Sequence, residues 1–440
     1  MRSTPTTTDG WRGLPGPDWS ELHLLAAIDH VAASGALGDR VLLGFDARAG
    51  AAELATLAAD LLAVRNISCI LALGAAPTPA FGLLTHSNSD LTGAVIITAS
   101  HNPPGYIGVK IRDAHGQGID WAQPCENAVV APPPAPTSPH RRLDVAALYA
   151  GSIGQTVIDT ARRFEGHLII DAAHGAVAAL APHLPQLTCH RGQPLPFFAG
   201  CTPDPAAHPA AEERASTVLH AAPDPTKTMI AMVDGDGDRL ALFTARSGYI
   251  ASPEQAAALL RAGFPAARLI TTSVAPRMIT RTAYEQNLAV TCTPVGFKHI
   301  VTAQRQQPHV ATLGVEPNGA LAWNSGDNGY FERDSLAALT LSLAHFAGVA
   351  EFDNAIADLR RSYPHPQRTI AVTAPVEVTT SELRTVLHGW HTSTREDTVV
   401  FENDEYERVV VRASGTEPVT RLYLETDPTT AERISTALTA

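Results

Sequence analysis

Short apolar runs alternate with amphipathic stretches along most of the chain. VLLGF at 41–45 precedes AAELATLAADLLAVR, whose apolar residues recur at helical spacing, and ISCILAL at 67–73 and GAVIITA at 93–99 follow. The alternation continues through HLIIDAAHG, TMIAMVDGDGDRLALF, SPEQAAALLRAGF, RLITTSV and LAVTCTPVGFKHI. Apolar runs of this length predict buried strands, and their alternation with helices predicts α/β architecture.

Two proline-rich breaks interrupt this pattern, APPPAPTSPH at 131–140 and SYPHPQR at 362–368. After the second break, TIAVTAPVEV, ERVVVRAS and TRLYLET predict strands, and SELRTVLHGW and TTAERISTALTA predict helices. We therefore predict three α/β domains of similar layout followed by a smaller α+β domain. Their predicted bounds are 1–148, 149–248, 249–363 and 364–440.

Composition and charge narrow the class of protein. The chain has 440 residues, 45% of them hydrophobic, which is enough for several cores. Its formal net charge of −12 argues against nucleic-acid binding, because a phosphate backbone attracts basic surfaces.

The stretch LAALTLSLAHFAGVA at 336–350 predicts a buried helix, since a membrane span needs about 20 apolar residues. The amino terminus lacks the apolar region of a signal peptide, and five cysteines without a CxxC pair indicate reduced thiols. These features predict a cytoplasmic protein that binds neither membrane nor nucleic acid.

The motif DGDGDR offers the strongest candidate chemistry. Asp234, Asp236 and Asp238 alternate with glycines after the apolar strand TMIAMV, so their carboxylates can converge. Carboxylates this close repel one another unless a cation lies between them, and hard oxygen ligands favour Mg²⁺ or Ca²⁺. An exposed acidic turn is the alternative, but the motif lies between two apolar runs. Arg239 adds a cation that could hold an anionic oxygen.

The segment ITASHNPPGYIGVKI places Ser100 just after a predicted buried strand. Pro103, Pro104 and Gly105 restrict and shape the turn that follows. His101 cannot simply be assigned as the base of Ser100, because adjacent residues of a strand point to opposite faces. The chain contains no GxSxG elbow, Walker A sequence or HExxH motif, so those reaction classes are not indicated.

Other polar segments are weaker signals when each is taken alone. VRASGTEP at 411–418 could cradle a phosphate with a guanidinium, hydroxyls and backbone N–H groups, although a polar turn is the alternative. TPVGFKHI and LGVEPNGALAW offer a lysine and a glutamate–asparagine pair suited to sugar hydroxyls, and surface loops are the alternative. TDGWRG at 8–13 places an arginine near the amino terminus, where a frayed end is the alternative.

Together these motifs resemble those of the α-D-phosphohexomutase family, which includes phosphomannomutase/phosphoglucomutase and phosphoglucosamine mutase. TASHNP resembles the family's phosphoserine loop, DGDGDR its metal loop, RASGTEP its phosphate loop and TDGWRG its amino-terminal element. GFDARAG and GAAPTP are similar to intervening segments, and the matches occur in the family's order over nearly the whole chain. The resemblance implies three related α/β domains with mixed sheets and a smaller fourth domain around a central cleft.

The resemblance also implies a reaction. Ser100 would carry a phosphoryl group and donate it to a hexose monophosphate, giving a hexose 1,6-bisphosphate that then returns its other phosphate. Phosphoryl transfer depends mainly on positioning and charge neutralisation, which Mg²⁺ and arginines supply. The implied catalytic residues are Ser100, His101, Lys110, Arg12 and Arg239, with the proton-transfer role open between Lys110 and His101. The implied Mg²⁺ ligands are Asp234, Asp236, Asp238 and Ser100. The implied substrate-binding residues are Lys298, Glu316, Asn318, Arg412, Ser414, Gly415 and Thr416.

The sequence departs from the family pattern in the sugar-recognition loop. The family commonly has GExSGH, whereas this chain has VEPNGA, with Asn318 in place of serine and Ala320 in place of histidine. Ile107 also stands where asparagine is usual. The sequence predicts a phosphomannomutase/phosphoglucomutase that acts as a monomer or dimer. The alternatives are a phosphoglucosamine mutase, a sugar-phosphate-binding relative without turnover, and a metal-dependent phosphatase.

Overall fold

The chain folds into four β-sheets covered by helices, as seen in a computed structural model. The structure describes residues 6–7, 9–16, 20–119, 139–205, 209–327, 329–395, 397–403, 407–414 and 419–439. Its helices are α1 (Glu21–Ala33), α2 (Ala51–Val64), α3 (Thr78–Ser87), α4 (Val145–Tyr149), α5 (Gln155–Ala161), α6 (Pro209–His220), α7 (Ser252–Arg261), α8 (Arg277–Glu285), α9 (Phe297–Arg305), α10 (Ser335–His345), α11 (Val349–Ser362), α12 (Val376–Val386) and α13 (Pro428–Thr439).

The first two sheets mix parallel and antiparallel strands. The first contains β1 (Thr6–Thr7), β2 (Gly10–Gly13), β3 (Arg40–Phe45), β4 (Ser68–Ala72), β5 (Gly93–Ile97), β6 (Ile107–Arg112) and β7 (Arg141–Leu143). Their spatial order is β1-β2-β6-β5-β3-β4-β7. The second contains β8 (His167–Asp171), β9 (Thr188–His190), β10 (Thr228–Val233), β11 (Leu240–Thr244) and β12 (Gly248–Ile250), in the order β12-β11-β10-β8-β9.

The third sheet is also mixed, whereas the fourth is antiparallel throughout. The third contains β13 (Arg268–Thr272), β14 (Ala289–Thr293), β15 (Thr312–Glu316) and β16 (Ala320–Asn324), in the order β14-β13-β15-β16. The fourth contains β17 (Arg368–Val372), β18 (His391–Arg395), β19 (Thr398–Glu402), β20 (Arg408–Ala413) and β21 (Thr420–Glu425), in the order β17-β21-β20-β19-β18.

The first three sheets share one topological feature. In each, two parallel strands are followed by a strand that turns back antiparallel: β3 and β5 then β6, β8 and β10 then β11, β13 and β15 then β16. The three returning loops contain Ser100, the DGDGDR motif and the VEPNGA motif. These three groups of candidate residues therefore occupy equivalent positions in three related α/β domains.

One hydrophobic cluster joins the first three sheets. It includes Phe81 beside the first sheet, Leu242 on β11 and Phe352 on α11, all fully buried. A second cluster fills the other face of the first sheet beneath α1 and α2, and the fourth sheet has its own cluster with α12 and α13. A small apolar contact, in which Val274 meets Val410 and Tyr423, joins the third and fourth sheets.

Two sequence predictions were wrong in detail. The stretch 336–350 is not one helix. Phe346 caps the end of α10, and α11 begins at Val349. Between them the chain pairs with Glu165, whose N–H donates to the Ala347 carbonyl at 2.7 Å, so the backbone is extended there. The predicted strand TIAVTAPVEV ends at Val372, and its last three residues begin α12 after Pro375. There the burial of Thr379 and Leu383 against the fourth sheet outweighs the strand preference of the valines.

None of the helices among the described residues is both long and apolar enough to cross a membrane. Four cysteines lie in the described residues and each is unpaired, whereas Cys125 lies outside them. The bounds that we give for the four domains stay a prediction.

Candidate active site

Ser100 lies immediately beyond β5 in an uncommon backbone conformation. Its φ is +52°, in the left-handed region that non-glycine residues rarely adopt. Its side chain is buried, and its hydroxyl donates a hydrogen bond to Asp234 Oδ2 at 2.8 Å. Its own N–H donates to Thr98 Oγ1 at 2.9 Å. The loop therefore holds the hydroxyl of one domain against the acidic motif of another.

The DGDGDR motif forms the turn between β10 and β11. Asp234 Oδ1 accepts the N–H groups of Asp238 at 3.0 Å and Arg239 at 3.2 Å, and Gly237 has φ +76°. The turn therefore wraps around one carboxylate oxygen and brings the three aspartates together by curling. All three side chains are buried, and one oxygen from each lies within 4.8 Å of the others.

The three carboxylates fit a hard divalent cation. Asp236 Oδ1 and Asp238 Oδ1 are buried without a hydrogen-bond partner among the described residues, and leaving such oxygens unpaired costs free energy. Asp234 Oδ2 receives only the Ser100 hydroxyl as a hydrogen-bond donor in the described part of the chain. Three convergent carboxylate oxygens are the ligands that Mg²⁺ prefers. Asp234, Asp236 and Asp238 are thus a candidate metal centre, as the sequence predicted.

The serine loop and the acidic turn touch backbone to backbone. A Cβ on Gly235 would lie 2.6 Å from the Ser100 carbonyl oxygen, closer than real Cβ contacts. On the other side, a Cβ on Gly175 would lie 2.5 Å from the Gly235 carbonyl oxygen. Glycine is required at both positions because only a chain without a Cβ can approach this closely.

Buried cations line the far side of the aspartates. Lys110 Nζ lies 2.8 Å from Asp236 Oδ2 and 3.1 Å from Asp9 Oδ2, and it also contacts Asp238 Oδ2. Arg333 Nε donates to Asp238 Oδ2 at 2.8 Å, and its Nη2 contacts Asp9. These cations occupy the Oδ2 atoms, so the Oδ1 atoms of Asp236 and Asp238 stay available to a metal ion.

Arg12 and Arg239 approach the same region from different domains. Arg12 Nη1 donates to Asn102 Oδ1 at 2.9 Å, and burial together with nearby Arg239 lowers the pKa of Arg12 to about 10. Arg239 Nε lies 3.9 Å from carboxylate oxygens of both Asp234 and Asp238. Burial lowers the pKa of Arg239, but these two carboxylates outweigh it and the net shift is upward. Both guanidiniums stay charged at neutral pH.

His101 is the one described imidazole in contact with Ser100. Its Nδ1 lies 3.4 Å from Ser100 Oγ. Burial, followed by the positive charges of Arg239 and Arg12, lowers the pKa of His101 well below its usual range. The ring is therefore neutral at pH 7, and the same surroundings make it a weak proton acceptor. Sequence reasoning alone could not decide whether these adjacent side chains meet.

The carboxylates differ in their affinity for protons. Burial raises the pKa of Asp234 well above its usual range, and the charges of Asp236 and Asp238 add to this shift. Burial also acts to raise the pKa of Asp236, but Lys110 outweighs it and the net shift is downward. A divalent cation among them would favour the ionised form of all three.

The VEPNGA loop lies against the acidic turn. Leu240 N–H donates to the Gly319 carbonyl at 2.8 Å, which places the loop next to Arg239. Glu316 is buried at the end of β15, and burial raises its pKa although Arg239 opposes the shift. Asn318 Oδ1 accepts the N–H of Ala320 at 3.3 Å. Ala320 packs in an apolar cluster with Phe297 and Phe331.

The predicted phosphate loop is only partly described. Arg412 is the penultimate residue of β20, and its Nε donates to Asp397 Oδ2 at 3.0 Å, while Ser414 N–H donates to the Val419 carbonyl at 2.8 Å. Gly415 and Thr416 lie outside the described residues. Lys298 occupies the first turn of α9, half-buried. The structure thus brings Ser100, the three aspartates, Lys110, Arg12, Arg239 and the Glu316 loop together, whereas Arg412, in the described part of the phosphate loop, pairs with Asp397.

Sequence reasoning missed several buried residues that support this site. Arg48 and Asp46 lie in GFDARAG and Thr78 in GAAPTP, segments noted only for their position along the chain. Thr98 donates to both Asp46 and Asp236, at 2.8 and 3.1 Å. Arg333 lies in a segment that carried no signal. Each acts on a partner distant in sequence, which spacing does not reveal.

Three related α/β domains, a fourth C-terminal domain and a shared serine–aspartate centre define a phosphohexomutase-type protein. The chain belongs to the phosphoglucomutase/phosphomannomutase family. Family models match alpha/beta/alpha domain I at residues 5–130, alpha/beta/alpha domain III at 249–363 and the C-terminal domain at 378–436, which together exceed half of the chain. The assignment makes the protein a phosphomutase, an enzyme of the isomerase class.

Curated relatives agree with the family assignment. A phosphoglucosamine mutase of Delftia acidovorans is 27% identical and matches over 97% of this chain and 95% of its own length. A phosphoglucomutase/phosphomannomutase of Thermococcus kodakarensis is 25% identical over 81% of this chain and 79% of its own. In fold, a crystal structure of a phosphoglucomutase/phosphomannomutase family protein from Burkholderia thailandensis is similar, with a TM-score of 0.77 at 21% identity and coverage of 98% and 96%.

Proposed function

We propose that the protein interconverts hexose 1-phosphate and hexose 6-phosphate through a phosphoserine at Ser100 and a hexose 1,6-bisphosphate intermediate. One observation carries this proposal. Ser100 Oγ donates at 2.8 Å to Asp234, one of three buried aspartates whose free oxygens converge. An unmodified serine hydroxyl is neutral and needs no divalent cation beside it. A phosphoserine carries nearly two negative charges, which a cation held by the three aspartates would neutralise.

In the first half-reaction, a sugar hydroxyl oxygen attacks the phosphorus of phosphoserine, and the bond from phosphorus to Ser100 Oγ breaks. In the second, Ser100 Oγ attacks the phosphorus of the other phosphate, the bond from that phosphorus to the sugar oxygen breaks, and the sugar oxygen regains a proton to become a hydroxyl. The hydroxyl proton passes to a nearby base. His101, whose Nδ1 lies 3.4 Å from Oγ, is placed by its position to relay this proton, and its lowered pKa means that it would hold the proton only briefly. Lys110 is held among carboxylates and is suited to donate hydrogen bonds and charge.

Asp234, Asp236, Asp238 and a phosphoserine oxygen would hold Mg²⁺. When bound, the ion neutralises charge on the transferring phosphoryl group. Arg12 and Arg239 flank the same position and would stabilise the anionic oxygens. Hexose 1,6-bisphosphate would serve as intermediate and as the activator that loads Ser100.

The third and fourth domains would bind the rest of the substrate. Glu316 and Asn318 lie beside Arg239 and would contact sugar hydroxyls. The non-reacting phosphate would be held by Arg412, Ser414, Gly415, Thr416 and Lys298. A fixed phosphate site would let the sugar present either end to Ser100.

Two substrate classes are candidates. The sequence favours glucose and mannose phosphates, whereas the relative from Delftia acidovorans and one from Synechococcus elongatus are named phosphoglucosamine mutases. The VEPNGA loop departs from the family pattern where the sugar would be bound, so it bears on this choice. The monomeric or dimeric state and the cytoplasmic location stay predictions.

The decisive experiment compares Ser100→Ala with Ser342→Ala, a buried serine on α10 outside the site. Mass spectrometry of the wild type should find one phosphoryl group on Ser100. Mutase activity on glucose, mannose and glucosamine 1-phosphates should disappear in Ser100→Ala and persist in Ser342→Ala, and relative kcat/KM values identify the sugar. Retained turnover in Ser100→Ala contradicts the proposal. Sugar-phosphate binding without turnover in the wild type supports a non-catalytic relative, and net phosphate release supports a phosphatase.

A further inference from the structure

Arg48 is an extensively hydrogen-bonded side chain beside Ser100, and its partners are backbone carbonyls and Asp46. It is 4% exposed and lies between β3 and α2. Its Nη2 donates to the carbonyls of Ser100 and Asn102, each at 2.7 Å. Its Nη1 donates to the carbonyls of Pro103 at 2.8 Å and Tyr106 at 3.1 Å. One guanidinium therefore binds four carbonyls of a seven-residue loop.

The loop supplies only one of these donors itself, the Tyr106 N–H, which lies 3.1 Å from the Pro103 carbonyl oxygen. Pro103 and Pro104 have no N–H, and the loop does not pair with a strand between β5 and β6. The carbonyls of Ser100, Asn102 and Tyr106 are at least partly buried, and Arg48 supplies the donors that the loop backbone does not. The planar guanidinium, with its N–H groups diverging in one plane, can serve several carbonyls at once.

Arg48 is itself fixed from two sides. Its Nε donates to Asp46 Oδ2 at 3.1 Å, and that oxygen also accepts the Thr98 hydroxyl at 2.8 Å. Its guanidinium carbon lies 4.8 Å from the centre of the Phe198 ring, which comes from the second domain. Phe198 also lies beside Gly235 of the acidic turn. Arg48 thus connects the serine loop to the domain that carries the aspartates.

We infer that Arg48 is a positioning residue that sets the conformation of the 100–106 loop and so the direction of Ser100 Oγ. In the described part of the chain its hydrogen bonds go to the loop carbonyls and Asp46 and none goes to Asp234, Asp236 or Asp238, so its effect passes through the loop backbone. The kinetic consequence rests on the proposed phosphoserine chemistry, whereas the structural consequence does not. Because phosphoryl transfer depends on alignment, a shift of about 1 Å at Oγ should lower the transfer rate about 100-fold.

The test uses Arg48→Ala and Arg48→Lys in the full-length protein. Hydrogen exchange of the peptide spanning 98–107 should rise in both variants, measured without phosphorylation. Phosphoryl transfer from glucose 1,6-bisphosphate to Ser100 should slow about 100-fold in Arg48→Ala, with kcat reduced far more than KM is changed. Lysine keeps the charge but lacks the planar set of N–H donors, so the transfer rate of Arg48→Lys should stay well below that of the wild type. Added methylguanidinium should restore part of the transfer in Arg48→Ala.

Arg268→Ala is the matched control. Arg268 is 6% exposed and donates to the Ala303 carbonyl and to Thr291 in the third domain, so its loss should change stability but not the 98–107 exchange. Wild-type exchange in that peptide, together with wild-type transfer in Arg48→Ala, overturns the inference. If wild-type Ser100 takes no phosphate from the bisphosphate, the proposed function fails and the exchange measurement alone decides the role of Arg48. If Arg48→Ala does not fold, Arg48→Lys decides both measurements.

Discussion

The carboxylate of Asp236, a candidate metal ligand, is oriented by hydrogen bonds to one of its two oxygens. Its Oδ2 accepts the hydroxyls of Thr78 at 2.7 Å and Thr98 at 3.1 Å and pairs with Lys110 at 2.8 Å. Its Oδ1 is buried with no hydrogen-bond partner in the described part of the chain. Because three donors fix one oxygen, the other keeps a defined direction without any contribution from the ion.

This arrangement predicts that Thr78→Val weakens Mg²⁺ binding. The substitution keeps the shape of the side chain but removes a hydroxyl that orients Asp236, and such partners typically contribute about 10- to 100-fold in metal affinity. Titration calorimetry with Mg²⁺ alone measures the effect. The control is Thr85→Val on the same helix, α3, since Thr85 is equally buried and donates only to the Phe81 carbonyl. Equal Mg²⁺ affinity in the two variants contradicts the role of Thr78.

The residues that could be predicted from the sequence share one property. Ser100, Asp234, Asp236 and Asp238 stand in short motifs that place several polar groups on one loop after an apolar strand. Thr78 does not, because its partner lies 158 positions away and a lone threonine carries no pattern. Local spacing reveals a ligand set but not the side chains that orient it.

At the scale of elements, apolar runs predicted most strands of the first three sheets, since buried strands are continuous in hydrophobicity. The strands β18 and β19 of the fourth sheet were missed because HTSTR contains no apolar residue and TVVFE has only three apolar residues in a row. Strand order was beyond prediction, because pairing depends on contacts between distant segments. The loops that contain Ser100, DGDGDR and VEPNGA can be recognised as equivalent only when the strand orders of the three sheets are compared.

The N-terminus of α10 gives a pH-dependent prediction. Asp334 Oδ1 accepts the N–H groups of Leu336 and Ala337 and the Tyr149 hydroxyl, and burial raises the pKa of Asp334 from 3.8 to about 6. Between these values the folded state holds the proton more tightly than the unfolded state, so raising the pH favours unfolding. The effect amounts to about 3 kcal/mol lost between pH 4 and pH 7.

Asp334→Asn removes this titration and keeps an oxygen that can cap the helix. The stability of the wild type relative to Asp334→Asn should therefore fall as the pH rises from 4 to 7. Chemical denaturation of both proteins at several pH values measures the difference. A constant difference across this range shows that the raised pKa is wrong.

At the scale of the molecule, residues 331–335 join three domains. Phe331 accepts the Gln117 amide at 2.9 Å, Arg333 contacts Asp9 and Asp238, and Ser335 Oγ donates to the Gly237 carbonyl at 2.7 Å. Arg333 is 324 positions from Asp9. A contact over that distance has no trace in local sequence, which explains why this segment was not predicted.

Arg333→Met should therefore destabilise the assembled protein. It leaves the buried carboxylates of Asp9 and Asp238 short of one cation, and breaking a buried ion pair on one side costs about 3–5 kcal/mol. Arg305→Met is the control, because Arg305 also links the third domain to the first, through Asp113 and Gln117. The Arg305 side chain is 42% exposed against 3% for Arg333, and exposed pairs contribute about 0–1 kcal/mol. Thermal unfolding of the two variants should differ accordingly, and similar midpoints contradict the prediction.

Because Gly235 has no side chain, it fixes how closely the serine loop of one domain approaches the acidic turn of the other. Any atom added there would push the Ser100 carbonyl away from the acidic turn, so the absence of a Cβ at position 235 sets the separation between the serine loop and the three aspartates. Neither loop has a defined working geometry by itself. Transferring this site to another protein scaffold would therefore require both loops and the backbone contact between them.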